Sequence, residues 1–122
     1  MSDLEQIKTR LRTFATDRDW EQFHSPKNLV MALSVEVAEL MEHFQWLTEE
    51  NSKILSGSKL EEITDEIADV QLYLIQLADK LGVDILDASN NKIGKNEAKY
   101  PADKVRGSSR KYTEYKKSTD QR

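Results

Sequence analysis

Two pairs of acidic residues, each with three-residue spacing, lie inside strongly apolar stretches of the sequence. The first pair is Glu36 and Glu39, and the second is Glu66 and Asp69. Residues three apart share a face of an α-helix, so each pair would present both of its carboxylates together. Two such helices packed side by side would gather four carboxylates, and buried anions need a compensating cation.

The residue types around these pairs restrict the kind of cation. The chain has no cysteine and only two histidines, so carboxylate oxygens are the main candidate ligands. Oxygen ligands favour a hard ion such as Mg²⁺, which suits phosphate chemistry. A diiron bundle would instead use Glu-x-x-His motifs. His43 follows Glu39 by four residues and could approach the site, although a partly buried structural histidine is the more ordinary interpretation.

Each acidic pair taken alone has an ordinary interpretation as solvated charge or a helix cap. Together the pairs favour a site, because Glu36 and Glu66 both border the apolar stripes of long helices. Acidic residues on the core side of a helix are uncommon and costly unless they are compensated. Their placement therefore distinguishes these acids from ordinary surface charge.

The apolar residues recur with helical spacing, and no stretch shows the alternation that is typical of strands. The third predicted helix is apolar nearly all round, which in so small a domain predicts a partner subunit. The fold predicted is all-α, a bundle of about four helices that is completed by homo-oligomerisation. The predicted helices run from 3 to about 17, from 26 to about 47, from 58 to about 81 and from 85 to about 100.

Composition limits the classes of function. The 122 residues carry a net charge of −4, which argues against nucleic-acid binding through a basic face. No apolar run resembles a signal peptide or approaches the roughly 20 residues that span a membrane. We therefore expect a cytoplasmic protein without membrane contact. Residues 1–106 are predicted to form one domain, and residues 107–122 a polar, basic and mobile tail.

Further candidate residues flank the helix ends and lie on the last helix. Aromatic groups at positions 20, 23, 24 and 46 are either lids and oligomer contacts or a base-stacking pocket, and the residues leave both open. On the fourth helix Lys92, Asn96 and Tyr100 share a face. Lys92 could meet a phosphate and Asn96 a base or ribose, although a hydrated face is the ordinary interpretation.

The stretch from about residue 18 to residue 101 resembles the MazG-like nucleotide pyrophosphohydrolases, especially their dCTP pyrophosphatase branch. One position departs from the wider family, which often has a second acid where Val35 precedes Glu36; the dCTP branch tolerates this change. The matching strings are RDWEQFH at 18–24, LSVEVAEL at 33–40, FQW at 44–46, EIADV at 66–70 with Tyr73, KIGKN at 92–96 and YP at 100–101.

The resemblance implies an all-α enzyme that hydrolyses a deoxynucleoside triphosphate, most readily dCTP or modified dCTP, to the monophosphate and pyrophosphate. This is a house-cleaning reaction, carried out by homodimers or homotetramers with Mg²⁺, or Mn²⁺ in its place. Two alternatives are a non-catalytic nucleotide-binding or regulatory bundle and a pyrophosphatase that prefers dUTP or another nucleotide. The implied metal-binding and catalytic residues are Glu36, Glu39, Glu66 and Asp69, and the implied substrate-binding residues are Trp20, His24, Trp46, Tyr73, Lys92 and Asn96.

Overall fold

A computed structural model describes residues 1–109, and every regular element in that range is helical. The predicted all-α class is therefore confirmed. Most of the predicted tail, from residue 110 onward, lies outside the described residues. The elements are α1 (Asp3–Asp17), a 3-10 turn (Glu21–Phe23), α2 (Pro26–Glu42), α3 (Glu49–Ser52), α4 (Gly57–Lys80), α5 (Ile85–Lys99) and α6 (Ala102–Val105).

Side-chain caps explain why two of these helices begin where the sequence predicts. The hydroxyl of Ser25 accepts a hydrogen bond from the backbone N–H of Asn28 at 3.2 Å. The carboxylate of Asp84 accepts from the N–H groups of Leu86 and Asp87 at 3.1 and 3.0 Å. Each cap satisfies N–H groups that have no partner inside the helix, and so fixes the start of α2 and α5.

The predicted end of α2 near Leu47 is wrong. The helix ends at Glu42, and residues 43–46 form successive turns. The backbone N–H groups of Phe44 and Gln45 both donate to the carbonyl of Met41, at 2.9 Å each. The bond from Phe44 spans only three residues, so a tighter turn replaces the regular helix here. The early end places Trp46 in a turn rather than on a helix face.

The first compact unit comprises Met1–Val83, and its core lies where α1 and α2 pack against α4. The core is small for a unit of this length. Its buried side chains are Ala15, Leu29, Ile63 and Ile75, which are 6%, 1%, 3% and 3% exposed. Since α4 supplies two of these four residues, it is the element that organises the unit and positions what α2 and α1 bring to it.

An ion pair ties α1 to α4 at the edge of this core. The Arg12 guanidinium donates two hydrogen bonds to the Asp79 carboxylate, with Nε 2.8 Å from Oδ2. Lys8 lies 4.0 Å from the same carboxylate. The hydrogen bonds from Arg12 hold the pKa of Asp79 below its ordinary value. Because the contact is bidentate, it fixes the orientation of one helix against the other as well as their distance.

Four leucine and isoleucine residues form a line along α4, which we call the α4 stripe. Seven residues are close to two helical turns, so this spacing places them on one side of the helix. The sequence predicts these residues as part of a core stripe, yet the described chain leaves them uncovered. The members of the α4 stripe are Leu60, Ile67, Leu74 and Leu81, which are 45%, 53%, 41% and 57% exposed.

The second compact unit begins at Asp84 and contains α5 and α6. Its described residues are mostly exposed, with Tyr100, Pro101 and Val105 partly buried near the junction of the two helices. The predicted single domain over residues 1–106 stays a prediction. None of the helices in residues 1–109 is both long enough and apolar enough to cross a membrane.

Candidate metal centre and adjoining cavity

Three of the four predicted carboxylates meet where α2 packs against α4. Glu36, Glu39 and Glu66 each offer one carboxylate oxygen, and these three atoms lie within 4.8 Å of one another. Helix α2 supplies the first two groups from adjacent turns, and α4 supplies the third. All three residues are half-buried. We call them the acidic cluster.

Within residues 1–109, two buried oxygens of the acidic cluster receive no hydrogen bond. Oε2 of Glu36 and Oε2 of Glu66 are both buried without a hydrogen-bond partner. Burial, followed by the contacts with Glu66 and Glu39, raises the pKa of Glu36 to about 7. Burial also raises the pKa of Glu66. Buried anionic oxygens are costly when unpaired, so the cluster calls for a positive charge.

A hard divalent cation fits this arrangement. The cluster offers only carboxylate oxygens, which are the ligands that Mg²⁺ prefers, and two of those oxygens have no other partner. The residues that would hold the ion are Glu36, Glu39 and Glu66. When bound there, such an ion would neutralise phosphate charge and polarise a phosphoryl oxygen.

Asp69 lies outside the cluster but acts upon it. It follows Glu66 by three residues on α4, and its negative charge contributes to the raised pKa of both Glu36 and Glu66. Its side chain also lines a neighbouring cavity. Asp69 therefore connects the acidic cluster to the space beside it.

This cavity has a volume of about 630 Å³, which is in the usual range for small-molecule sites. It is bounded by α1, by α4 and by the segment that joins α1 to α2. Apolar groups supply most of its wall surface, and polar groups come from Arg10, His24, Asp69, Tyr73 and Gln76. The lining residues are Ile7, Arg10, Leu11, Phe14, Trp20, His24, Asp69, Leu72, Tyr73 and Gln76.

A reversal of the chain after α1 brings Trp20 to the cavity. Asp19 adopts a positive φ of 54°, and the backbone N–H of Trp20 donates to the carbonyl of Ala15 at 2.9 Å. The indole then meets Phe14 edge-on, with ring centroids 5.7 Å apart, and His24 at 6.5 Å. Neighbouring rings on both sides thus hold an indole that remains 45% exposed and able to stack on a ligand.

The structure brings three of the six predicted substrate residues to one cavity of the first unit. Trp20, His24 and Tyr73 line it together. Trp46 lies in the turn after α2 and is 87% exposed. Lys92 and Asn96 lie one turn apart on α5, in the second unit, and both are exposed.

His43 contacts residues of α4 that lie outside the acidic cluster. Its Nδ1 atom is 2.8 Å from Nζ of Lys59 and 4.0 Å from a carboxylate oxygen of Glu62. These contacts give the histidine a structural role between α2 and the first turn of α4. The interpretation of His43 as an ordinary, partly buried residue is the one that the structure supports.

Sequence reasoning missed two polar residues of the cavity, Arg10 and Gln76. The position of Gln76 carried a weak signal, since it follows Asp69 by seven residues and Tyr73 by three, on one face of α4. Arg10 carried none beyond its place beside the apolar stripe of α1. Recognising either residue requires knowing that α1 packs across α4 at this level.

Comparison with known proteins agrees with the class that this fold and site define. The chain belongs to the MazG-like family, whose profile matches residues 31–115. It is 45% identical over 113 residues to dCTP pyrophosphatase 1 of Homo sapiens, covering 91% of this chain and 66% of that protein. The corresponding Mus musculus protein is 41% identical over 118 residues, covering 95% and 69%. The chain thus spans about two thirds of the length of these relatives.

A solved structure supports the same assignment. A pyrophosphatase from Archaeoglobus fulgidus superimposes with a TM-score of 0.74 at 39% identity, covering 83% of this chain and 94% of the other. Its extent matches this chain more closely than the mammalian proteins do. With relatives of this similarity, the chain is an enzyme of the pyrophosphohydrolase class.

Proposed function

We propose that this protein hydrolyses deoxynucleoside triphosphates, with dCTP or modified dCTP preferred, to the monophosphate and pyrophosphate. The observation that carries the proposal is the junction between the acidic cluster and the aromatic cavity, which Asp69 connects. The names of the mammalian relatives support dCTP as the substrate. Removal of unwanted nucleotides from the cytoplasmic pool is the role that this reaction serves.

The acidic cluster suits the triphosphate end of the substrate. Glu36, Glu39 and Glu66, with Asp69 beside them, are proposed to hold Mg²⁺, or Mn²⁺ in its place, opposite the phosphates. A carboxylate of this group would accept the proton of the water that attacks the substrate, because it combines basicity with a position beside the proposed phosphate site. The bond cleaved lies between the α and β phosphates.

The cavity suits the nucleoside end of the substrate. Trp20 and His24 present aromatic surface, and Tyr73 adds both a ring and a hydroxyl. A base stacks favourably on such rings and leaves water when it does so. Since Asp69 lies at the boundary of cluster and cavity, a nucleotide whose phosphates meet the cluster would direct its base toward these residues.

The exposed apolar surface supports assembly into a homodimer or homotetramer. The α4 stripe leaves four large aliphatic side chains uncovered, and Trp46 is nearly fully exposed. Patches of this kind on a small protein mark an interaction surface. Residues 1–106 are proposed to form the catalytic domain, and Trp46, Lys92 and Asn96 are proposed as further substrate-binding residues.

A turnover screen tests the proposed reaction. Purified protein with Mg²⁺ is offered the deoxy- and ribonucleoside triphosphates, and the products are separated by ion exchange. We expect dCMP and pyrophosphate from dCTP, and no product when a chelator removes the metal. Diphosphate plus phosphate, or no turnover of any nucleotide, would contradict the proposal. Faster turnover of dUTP would retain the reaction and change the preferred base.

A matched pair of variants assigns the activity to the acidic cluster. Glu39→Gln removes a cluster carboxylate, whereas Glu42→Gln makes the same change on the exposed surface one turn further along α2. We expect Glu39→Gln to lose at least about 100-fold in kcat, as loss of a metal ligand does. Glu42→Gln should keep the activity of the natural sequence.

A further inference from the structure

Gln76 occupies the part of the cavity wall that is furthest along α4 from the acidic cluster. Asp69, Leu72, Tyr73 and Gln76 follow one another at helical spacing and all line the cavity. At about 1.5 Å per residue, Gln76 lies about 15 Å along the helix from Glu66. A nucleotide that extends from the cluster past Asp69 and Tyr73 would therefore bring the far edge of its base to Gln76.

Gln76 is a half-buried residue of the cavity wall, and its side-chain amide makes no hydrogen bond within residues 1–109. A primary amide carries both an acceptor and donors, so it is suited to a ligand edge that offers the same combination. Apolar and aromatic groups make up most of the wall around it. An uncommitted amide in such surroundings is the kind of group that gives a small-molecule site its specificity.

Gln76 also borders a smaller cavity of about 350 Å³, which His24 lines as well. On the wall of that cavity Arg12 and Lys8 pair with Asp79 and not with the amide of Gln76. The larger cavity is the one that Asp69 joins to the acidic cluster, so it is the one in which the amide of Gln76 would meet a nucleotide.

We propose that Gln76 is a specificity residue that reads the hydrogen-bonding edge of the cytosine base. Its amide oxygen accepts from the 4-amino group, and its amide N–H donates to the ring nitrogen beside it. This assignment rests on the proposed function, because it takes the phosphates to lie at the acidic cluster. It adds a polar contact that neither stacking nor metal binding supplies.

Deleting one partner at a time tests the contact. The substrate partner is removed with the deoxynucleoside triphosphate of 2-pyrimidinone, which is cytosine without its 4-amino group. The protein partner is removed with Gln76→Leu. Natural enzyme should prefer dCTP over this analogue by about tenfold in kcat/KM, the size of one well-placed hydrogen bond, and Gln76→Leu should bring the ratio close to one. Gln71→Leu, an exposed glutamine on the same helix, should keep the natural ratio.

The outcomes separate this inference from the proposed reaction. If natural enzyme releases dCMP and pyrophosphate from dCTP but Gln76→Leu keeps the same preference, the role of Gln76 is wrong and the reaction stands. If natural enzyme does not hydrolyse dCTP at all, both fail together. Gln76→Met, which has a side chain of similar length and no hydrogen-bonding amide, gives the same comparison if the leucine variant does not fold.

Discussion

Glu36 is a residue in which the needs of function and of stability are opposed. Its Oε2 atom is buried without a partner, and burial beside other carboxyls raises its pKa from the ordinary value of 4.5 to about 7. The folded protein therefore keeps this proton at pH values where the unfolded chain has released it. Between these two values the unfolded state binds fewer protons, so the metal-free protein loses stability as the pH rises.

Glu36→Gln should therefore stabilise the metal-free protein while it abolishes turnover. At pH 8 with a chelator present, we expect the thermal midpoint to rise by a few degrees, because one buried charge is removed. The gain should shrink at pH 5, where Glu36 of the natural protein is largely protonated. Thermal denaturation at both pH values, with Glu42→Gln as the exposed control, measures the effect. If the natural protein is more stable than Glu36→Gln at pH 8, this prediction is wrong.

Asp69 makes a separate prediction, because it lies between the acidic cluster and the cavity rather than within the cluster. Asp69→Asn should lower kcat/KM by about 100-fold and leave the helix content unchanged, because the side chain keeps its size and loses only its negative charge. The measurement is turnover of dCTP together with circular dichroism. Asp65→Asn, an exposed change one turn earlier on α4, serves as the control. Near-normal activity in Asp69→Asn would exclude this residue from the site.

At this scale the sequence predicted the acidic residues better than the cavity. Helical spacing determines which side chains share a face, so the approach of Glu36, Glu39 and Glu66 follows once α2 meets α4. The separation of Asp69 from that group depends on side-chain geometry that spacing does not contain. Arg10 was missed because a single polar residue on a helix forms no pattern, and Gln76 was missed because its helical spacing from Asp69 and Tyr73 is only a weak signal.

Among the helices, α4 serves three purposes. It buries Ile63 and Ile75 in the core, it presents acidic and aromatic side chains to the site, and it leaves the α4 stripe exposed. The sequence predicted the helix and its termination near Gly82, whose φ is 67°. The apolar residues nearly all round this helix predict that more than one of its sides is covered, but a helix that is apolar on most sides does not reveal which side its own chain covers.

The ion pair between α1 and α4 gives a prediction at the same scale. Asp79 has a lowered pKa, so its charged form stabilises the folded state above the ordinary value of 3.8. That contribution is lost as the pH falls through the lower pKa of the folded state. Asp79→Asn should lower the thermal midpoint by about 2–5 °C at pH 7, a modest effect because Arg12 is 57% exposed. The difference in thermal midpoint between Asp79→Asn and the natural protein should become smaller at pH 3.

Thermal denaturation at pH 7, 5 and 3 checks this expectation, with Asp65→Asn as the exposed control on the same helix. If Asp79→Asn is as stable as natural protein at pH 7, the pair does not hold α1 in place. A difference that stays constant down to pH 3 would assign the effect to packing rather than to charge.

The whole molecule has little buried core for the amount of apolar surface that it exposes. In the described chain, only four apolar residues of the first unit are buried, whereas the α4 stripe alone leaves four aliphatic side chains exposed. Small domains bury a limited share of their surface and often depend on association for stability. The sequence could predict that α4 requires a second covering layer, but it carries no pattern that specifies how many copies assemble.

Substitution within the α4 stripe tests assembly directly. Ile67 is 53% exposed and lies between Leu60 and Leu74, so Ile67→Lys would place a charge in the middle of the proposed contact. We expect a smaller species by light scattering and a lower thermal midpoint, because desolvating the ammonium group opposes association. Gln71→Lys adds the same charge at an exposed polar position of the same helix and should leave the mass unchanged. If natural protein and Ile67→Lys have the same mass at every concentration, the α4 stripe is not the surface through which the copies assemble.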